Sequence, residues 1–366
     1  MLTHSNGIIQ LNVSQMVGQL SAAYVSMIRT GTPLRRFPSI MLWGPPGFGK
    51  SQGVRQIAAE IERQSGKHVK VTDVRLLLFN PVDLRGIPTA NAERTLAVWL
   101  RPKIFDMDAA EDVVNILFLD EITSAPQSVQ AAAYQITLDR TVGEHQLPEN
   151  CIVIAAGNRV TDRSVAFNMP KALANRLCHI ELKGDAAGWH DWAVRSGIHP
   201  YVTGFLDYNS TSLTMFDPSE DNLAFPTPRS WEMVSNILRS VSDDVSRVYP
   251  LIAGCIGVNT AGAFRTWCEV YEPIPPMKQI FSGAECEVPV RPELLYATVS
   301  AMVDHASRGV PEPALSRSVD FACKLPVEFR FRLFNDYYRM RSVRNKLSGN
   351  KIFSEWVAYR NEELEL

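Results

Sequence analysis

The stretch Ser39-Ile40-Met41-Leu42-Trp43-Gly44-Pro45-Pro46-Gly47-Phe48-Gly49-Lys50-Ser51 decides the fold of this chain. An apolar run of strand length leads into a loop that fits the pattern G-x-x-x-x-G-K-[ST], and a helical pattern follows at once. Glycines in such a loop let backbone N–H groups point at phosphate oxygens, while the lysine reaches the terminal phosphates and the hydroxyl ligates Mg²⁺. The sequence therefore predicts a phosphate-binding loop between a strand and a helix. The predicted nucleotide-binding residues are Gly44, Pro45, Pro46, Gly47, Phe48, Gly49, Lys50, Ser51 and Gln52.

A second apolar run, from Val113 to Leu119, ends in two adjacent carboxylates, Asp120 and Glu121. A near-continuous apolar run is typical of a parallel strand buried on both faces. At the carboxyl end of such a strand, beside a phosphate loop, Asp120 would hold Mg²⁺ through its water shell and Glu121 would polarise the attacking water. An acidic turn that merely ends a strand is the alternative, and the phosphate loop in the same chain argues against it. The predicted metal ligands are Ser51 and Asp120.

Strands alternate with helices over residues 39–182, which predicts an α/β fold with a wound, mainly parallel sheet. A helix is expected before the loop, at residues 13–28, whereas residues 1–12 show no regular pattern. A third buried strand, at 151–156, is followed by Asn158, whose amide could orient water near a terminal phosphate; an ordinary turn asparagine is the equal alternative.

Two segments of this α/β region have sequences that predict hairpins or loops protruding from the sheet. Residues 80–104 contain too much glycine and proline for a buried strand, so a hairpin or loop is expected. Residues 139–148 alternate around a central glycine, as β-hairpins do.

Beyond Gly184 the strand signals disappear and helical periodicity recurs. We predict two domains, an α/β domain at 1–184 and an all-α domain at 185–366. The proline-containing stretch 273–292 cannot form a long helix and is expected to be an exposed loop. The aromatic residues of 329–338 are expected in the helical core.

Composition limits the classes of function. Hydrophobic residues make up 46% and charged residues 21% of the 366 residues, and the net charge of −2 does not favour a generic nucleic-acid binder. The six cysteines are widely spaced and predict free thiols in a reducing compartment. No segment has the ~18 consecutive apolar residues of a membrane span, so a cytoplasmic location is the default expectation. The histidines, including His190 and His199, lack metal-ligand spacing and are expected to be surface or packing residues.

With these elements in order, the chain resembles the AAA+ ATPases and, within them, is similar to the MoxR family over about residues 30–240. Gly44 to Ser51 and Phe118 to Glu121 correspond to the Walker A and Walker B motifs. Asn80 to Gly86 is similar to the segment that opens the family's helix-2 insert, and residues 139–148 look like its pre-sensor-1 hairpin. The resemblance implies an α/β nucleotide-binding core, an α-helical lid, and ATP with Mg²⁺ as cofactors.

The resemblance also implies roles for polar residues outside the Walker motifs. Asn158 matches sensor 1, and Thr227-Pro228-Arg229 matches the sensor 2 triplet. Arg176 lies where the family has its arginine finger, although Leu177 replaces the usual phenylalanine, and Arg159 and Arg163 are competing candidates. A finger supplied by a neighbouring subunit implies a ring, with a hexamer expected. The expected catalytic residues are thus Glu121, Asn158, Arg176 and Arg229.

The function that follows is an ATP-driven remodeller or maturation factor of a protein client, with a von Willebrand factor A domain protein as a possible partner. A nucleic-acid motor is the alternative, because related ring helicases carry the same two protrusions. Residues 142–146 at the hairpin tip contain no lysine or arginine, which argues against tracking along phosphates. A nucleotide-gated scaffold without turnover is disfavoured because Lys50 and Glu121 are both present.

Overall fold

A computed structural model describes residues 3–5, 7–159, 169, 174–215, 222–269 and 274–364. The chain forms two compact units, Met1–Gly184 and Asp185–Leu366. Each unit is described by itself.

A seven-stranded sheet forms the centre of the first unit. Its strands are β1 (Thr3–Ser5), β2 (Ile8–Leu11), β3 (Ile40–Trp43), β4 (His68–Arg75), β7 (Val113–Asp120), β10 (Cys151–Gly157) and β11 (Cys178–Leu182). They lie in the order β1-β2-β11-β3-β10-β7-β4. Every neighbouring pair is parallel except β1 and β2, so the predicted α/β fold with a mainly parallel sheet is confirmed.

The three predicted strands at the centre of the sheet end at the same edge. Gly157 of β10 is in register with Trp43 of β3, and Ala155 of β10 is in register with Leu119 of β7. Parallel pairing in this register places the residues that follow the three strands side by side. Ligands of open α/β sheets bind at this carboxyl edge.

Helices cover both faces of the sheet. They are α1 (Val13–Arg29), α2 (Lys50–Ser65), the short α3 (Pro81–Arg85) and α4 (Gln127–Asp139). The apolar side chains of α1 and α2 share one core with β3, β7 and β10, whereas α4 packs with the opposite face of the same strands. Each large aliphatic side chain fully buried in these cores contributes about 1.5–3 kcal/mol. The central strands are buried on both sides, as their apolar sequences predict.

Residues 1–12 were expected to be irregular, and this expectation is wrong. Ile9 of β2 pairs in parallel with Ile180 of β11, and β1 pairs with β2. Both strands are short, and β1 is at the edge of the sheet. Their conformation depends on the distant strand β11, which a local sequence pattern does not reveal.

Both predicted protrusions are present as antiparallel hairpins. The insert contains α3 and the hairpin of β5 (Ile87–Ala90) with β6 (Ala97–Leu100), while β8 (Thr141–Val142) pairs with β9 (His145–Gln146). The two hairpins touch, since a ring nitrogen of His145, Nε2, lies 2.8 Å from the carbonyl oxygen of Trp99.

The described part of the second unit is helical. Its helices are Ala186–Arg195, Pro200–Tyr208, Pro228–Ser240, Val245–Ile256, Val258–Cys268, Met277–Ser282, Pro292–Ser307, Glu312–Ala322, Val327–Arg339, Arg341–Lys346 and Lys351–Leu364. They enclose two apolar cores, to which Phe329, Phe334 and Tyr337 contribute as expected, while Phe331 is partly exposed. Within the described ranges, no helix is both long and apolar enough to cross a membrane.

The expectation of an exposed loop at 273–292 is wrong in part. Residues 270–273 lie outside the described residues, but Met277–Ser282 is a helix that buries Ile280 and Phe281. A proline disfavours helical conformation at its own position within a helix and at the residue before it. No proline lies between Pro276 and Pro289. A six-residue helix therefore fits between the prolines, and its two apolar residues fill a core.

Candidate nucleotide site

The phosphate-binding loop joins β3 to α2 as predicted. Gly49 precedes the helix with φ +83°, a left-handed conformation that favours glycine. Lys50 and Ser51 then open α2, whose first N–H groups have no partner within the helix. The loop and the helix dipole together form an anion site at the carboxyl edge of the sheet.

The Lys50 ammonium is hydrogen-bonded to the segments that follow two neighbouring strands, β3 and β10. Its Nζ donates to Oδ1 of Asn158 at 2.8 Å and to the carbonyl oxygen of Pro45 at 3.0 Å. Asn158 directly follows β10, the neighbour of β3 in the sheet. The structure thus brings together the loop lysine and the amide that were predicted from separate parts of the sequence.

The two predicted metal ligands are also adjacent. Ser51 Oγ donates to Oδ2 of Asp120 at 2.9 Å. Mg²⁺ prefers oxygen ligands and is usually held by one or two carboxylates together with substrate phosphates and water. In the described part of the chain, no group of three or more His, Cys, Asp or Glu residues could hold a metal ion. The Ser51 hydroxyl and the Asp120 carboxylate are oxygen donors of the kind that magnesium takes when it is bound together with a nucleotide.

Glu121 adopts a left-handed backbone with φ +58°, which is uncommon outside glycine, asparagine and aspartate. Its N–H donates to the Asp120 side chain at 2.9 Å, and its carbonyl accepts from the N–H of Ser124 at 3.0 Å. These bonds hold a tight turn directly after β7. Strained backbone of this kind concentrates at functional sites, and the observation agrees with a catalytic role for this carboxylate.

Asp73 on β4 is an acidic neighbour that the sequence did not single out. Burial raises the pKa of its carboxyl, and the negative charge of Asp120 raises it further. The positive charge of Arg75 partly offsets both effects, as does that of Arg55, whose guanidinium lies 3.9 Å from the Asp73 carboxylate. Asp73 is thus close enough to Asp120 for their charges to interact.

The arginines of this unit have different environments. Arg159 forms an ion pair of 2.9 Å with Glu181, and the two side chains are only 19% and 13% exposed. Arg176 is exposed, in the segment just before β11. Arg163 lies outside the described residues. Among the two described candidates, Arg176 has the accessible guanidinium that a contact with a neighbouring subunit needs.

Arg229 belongs to the second unit. It is exposed in the first turn of the helix Pro228–Ser240, two residues after the N-cap Thr227. The Thr227 side chain accepts from the N–H of Ser230 at 3.1 Å, so the start of this helix is well defined. Its sensor role stays a prediction.

Sequence reasoning missed two polar residues close to this site. Thr123 is fully buried and bonds to the backbone of Asn158, and His179 accepts a hydrogen bond from Trp43, the residue before the phosphate loop. Thr123 lies two residues after Glu121, which was the available signal. Nothing local in the sequence points to His179.

A mainly parallel sheet with a phosphate loop, a carboxylate pair and a polar side chain on adjacent strands defines a P-loop nucleoside triphosphatase. Residues 40–182 match the model of the ATPase family associated with various cellular activities (AAA). This segment, less than half of the chain, is therefore similar to AAA ATPase domains, and we assign nucleotide binding and ATP hydrolysis to it. The sequence matches no curated protein.

Solved structures with a similar fold include NtrX from Brucella abortus in complex with ATP, which is 13% identical, with 100% of this chain and 69% of that chain covered and a TM-score of 0.37. A RuvB variant from Thermotoga maritima is 16% identical, with 83% of this chain and 89% of that chain covered and a TM-score of 0.34. Both similarities are weak, and the assignment depends on the family model and the site.

Proposed function

We propose that this chain is a Mg-ATP-dependent AAA+ ATPase of MoxR type, which couples ATP hydrolysis in an oligomeric ring to the remodelling or maturation of a protein client. The convergence of Lys50, Asn158, Ser51 and Asp120 at one edge of the sheet carries this proposal. Lys50 binds the terminal phosphates, and Ser51 and Asp120 hold the magnesium ion that neutralises them. Glu121 polarises the attacking water, and Asn158 orients that water.

Hydrolysis in this proposal depends on assembly. The exposed Arg176 of one subunit stabilises the charge that spreads over the phosphate oxygens in the site of the next, an effect worth about 10³–10⁵ in rate in related systems. The sensor 2 role of Arg229 follows from the resemblance alone. A hexameric ring, a von Willebrand factor A domain partner and a cytoplasmic location follow from the resemblance or from composition, and stay predictions.

The structure gives a specific reason to rank the nucleic-acid motor second. Arg140 is the cation at the base of the β8–β9 hairpin, and its guanidinium points inward, donating to the carbonyl oxygen of Phe37 at 2.8 Å. Burial lowers the pKa of this arginine. The hairpin is therefore poor in accessible positive charge, whereas a strand-tracking hairpin needs it.

The decisive experiment is steady-state ATP hydrolysis as a function of protein concentration, for the wild type and for Glu121→Gln and Arg176→Ala. We expect specific activity to rise with concentration and to be lost in both variants. Arg341→Ala, which removes an exposed arginine of the second unit, is the matched control and is expected to retain activity. Arg163→Ala tests the remaining finger candidate.

A parallel series with single-stranded DNA separates the two functions. Hydrolysis that ignores DNA supports the protein remodeller. Strong stimulation by DNA would establish the motor instead, and full turnover in Glu121→Gln would refute the proposed site.

A further inference from the structure

We propose that Thr123 is a positioning residue for hydrolysis, whose hydroxyl holds the turn of Glu121 and the backbone of Asn158 at a fixed separation. This inference rests on the proposed function of the site. Its evidence is a set of hydrogen bonds that join the segment after β7 to the segment after β10 and to α4. We call the three residues that make these bonds, Thr123, Asn158 and Gln130, the Thr123 clamp.

Thr123 satisfies both backbone groups of Asn158. Its Oγ1 accepts from the N–H of Asn158 and donates to the carbonyl oxygen of the same residue, each at 3.0 Å. Thr123 is 1% exposed, so no water competes with these bonds. A hydroxyl is suited to this role because it donates and accepts through a single atom.

Gln130 connects the clamp to helix α4. Gln130 Nε2 donates to the carbonyl oxygens of Ala125 at 2.9 Å and Thr123 at 3.3 Å. Tyr134 donates to Oε1 of Gln130 at 3.2 Å, which orients the amide. A chain of buried hydrogen bonds therefore runs from the helix to the catalytic turn.

Close packing supports the same contact. A Cβ added at Gly157 would lie 2.6 Å from Oγ1 and 2.7 Å from Cγ2 of Thr123, nearer than non-bonded atoms approach. The N–H of Ile122 donates to the carbonyl of Ala156 at 2.9 Å on the other side of the same contact. The turn after Glu121 is thus joined to the end of β10 by contacts from two consecutive residues, Ile122 and Thr123, to the three consecutive residues 156–158.

Functionally, the clamp sets where the Asn158 amide lies relative to Lys50 and to the water that Glu121 polarises. Catalysis is sensitive to displacements of this kind, since reacting groups must be held close to their productive geometry. Loss of the hydroxyl should therefore slow turnover more than it weakens nucleotide binding.

The test compares Thr123→Val, which removes the hydroxyl at nearly constant shape, with Thr123→Ser, which keeps it. We expect Thr123→Val to lower kcat about tenfold or more, with affinity for a fluorescent ADP analogue within about threefold of wild type. Thr123→Ser should restore most of the turnover. If Thr123→Val does not fold, Thr123→Ala against Thr123→Ser repeats the comparison of a residue with and without the hydroxyl.

A double-mutant cycle shows whether Thr123 acts through Asn158. In the Asn158→Ala background, Thr123→Val should lower kcat by less than about twofold further, because residues that act as a unit are non-additive. Equal kcat in Thr123→Val and Thr123→Ser, or fully additive losses, would overturn the inference. Unchanged turnover in Glu121→Gln and Asn158→Ala would instead overturn the proposed function of the whole site.

Discussion

The indole N–H of Trp43 donates a hydrogen bond of 2.8 Å to Nδ1 of His179, and the two rings stack with centroids 5.9 Å apart. The other ring nitrogen of His179, Nε2, lies 2.7 Å from the carbonyl oxygen of Ala174. His179 thus connects the residue before the phosphate loop with the segment that carries Arg176. Because Nδ1 accepts, Nε2 carries the proton and donates to Ala174.

Replacing His179 by phenylalanine should weaken both ends of this connection. The ring stacking survives, but two hydrogen bonds are lost, so we expect the free energy of unfolding to fall by about 1–2 kcal/mol. Turnover should fall too, because the backbone two residues before Arg176 loses its anchor. Urea unfolding and steady-state hydrolysis measure the two effects. Wild-type behaviour in both assays would show that the bridge has no role.

Arg159 and Arg176 should differ in what their removal costs. Arg159→Ala leaves Glu181 partly buried without its ion pair, and we expect a loss of about 1–3 kcal/mol in stability. Arg176→Ala removes an exposed side chain, so the melting temperature should stay constant while turnover is lost. Thermal unfolding and hydrolysis on both variants check this. A stable but inactive Arg159→Ala would make Arg159 the finger.

The stability of the second unit should depend on alkaline pH through His190. Its imidazole lies 2.8 Å from Asp207 and 3.1 Å from Asp336, and Arg332 and Arg339 bind the same carboxylates. Burial alone would lower the pKa of His190, but the hydrogen bonds to Asp207 and Asp336 outweigh it and raise the pKa to about 9 from 6.5.

Because the folded-state pKa is the higher one, this stabilisation is fully present below pH 6.5 and is lost as the pH rises through about 9. The loss amounts to about 3 kcal/mol from a shift of this size. Hydrogen exchange of the helix Ala186–Arg195 between pH 6 and 10, corrected for the intrinsic pH dependence of exchange, follows it locally. His190→Gln is the control and should abolish this part of the dependence; an unchanged profile in that variant would contradict the assignment.

Gly143, at the tip of the β8–β9 hairpin, should control its contact with the insert. It has φ +58°, and an added Cβ would lie 2.5 Å from the carbonyl oxygen of Arg85. Gly143→Ala should therefore separate the hairpin from the insert and raise tryptic cleavage after the exposed Arg85 and Arg94 about 5- to 30-fold, which corresponds to a loss of about 1–2 kcal/mol in local stability.

Gly66→Ala is the matched control for this experiment. Gly66 has a similar φ of +72°, but an added Cβ there meets no atom within 4 Å. Gly66→Ala therefore introduces similar backbone strain without a steric clash. Equal cleavage of the insert in both variants would mean that the contact between the two hairpins does not protect it.

Elements with strong local signals were predicted correctly. The strand before Gly44, the helix after Lys50 and the apolar strand that ends at Asp120 depend on burial patterns within a dozen residues. The strand β2 and the helix Met277–Ser282 were missed because each is stabilised by partners far away in the sequence. The ionic network around His190 was missed for the same reason. The edge strand β1 was missed together with β2, with which it pairs.

The sequence by itself determined the phosphate loop and the carboxylate pair, because each is a short run of residues with one chemical meaning. It left Asn158 open between an ordinary turn residue and a water-orienting amide, and only the family resemblance favoured the second. Only the tertiary structure decided which of these groups meet. The parallel register of β3, β10 and β7 places Lys50 against Asn158 and Ser51 against Asp120. It also gave Arg159 a partner in Glu181 and placed Thr123 beneath Asn158. Contacts of this kind arise from strand order, which no local pattern of residues encodes.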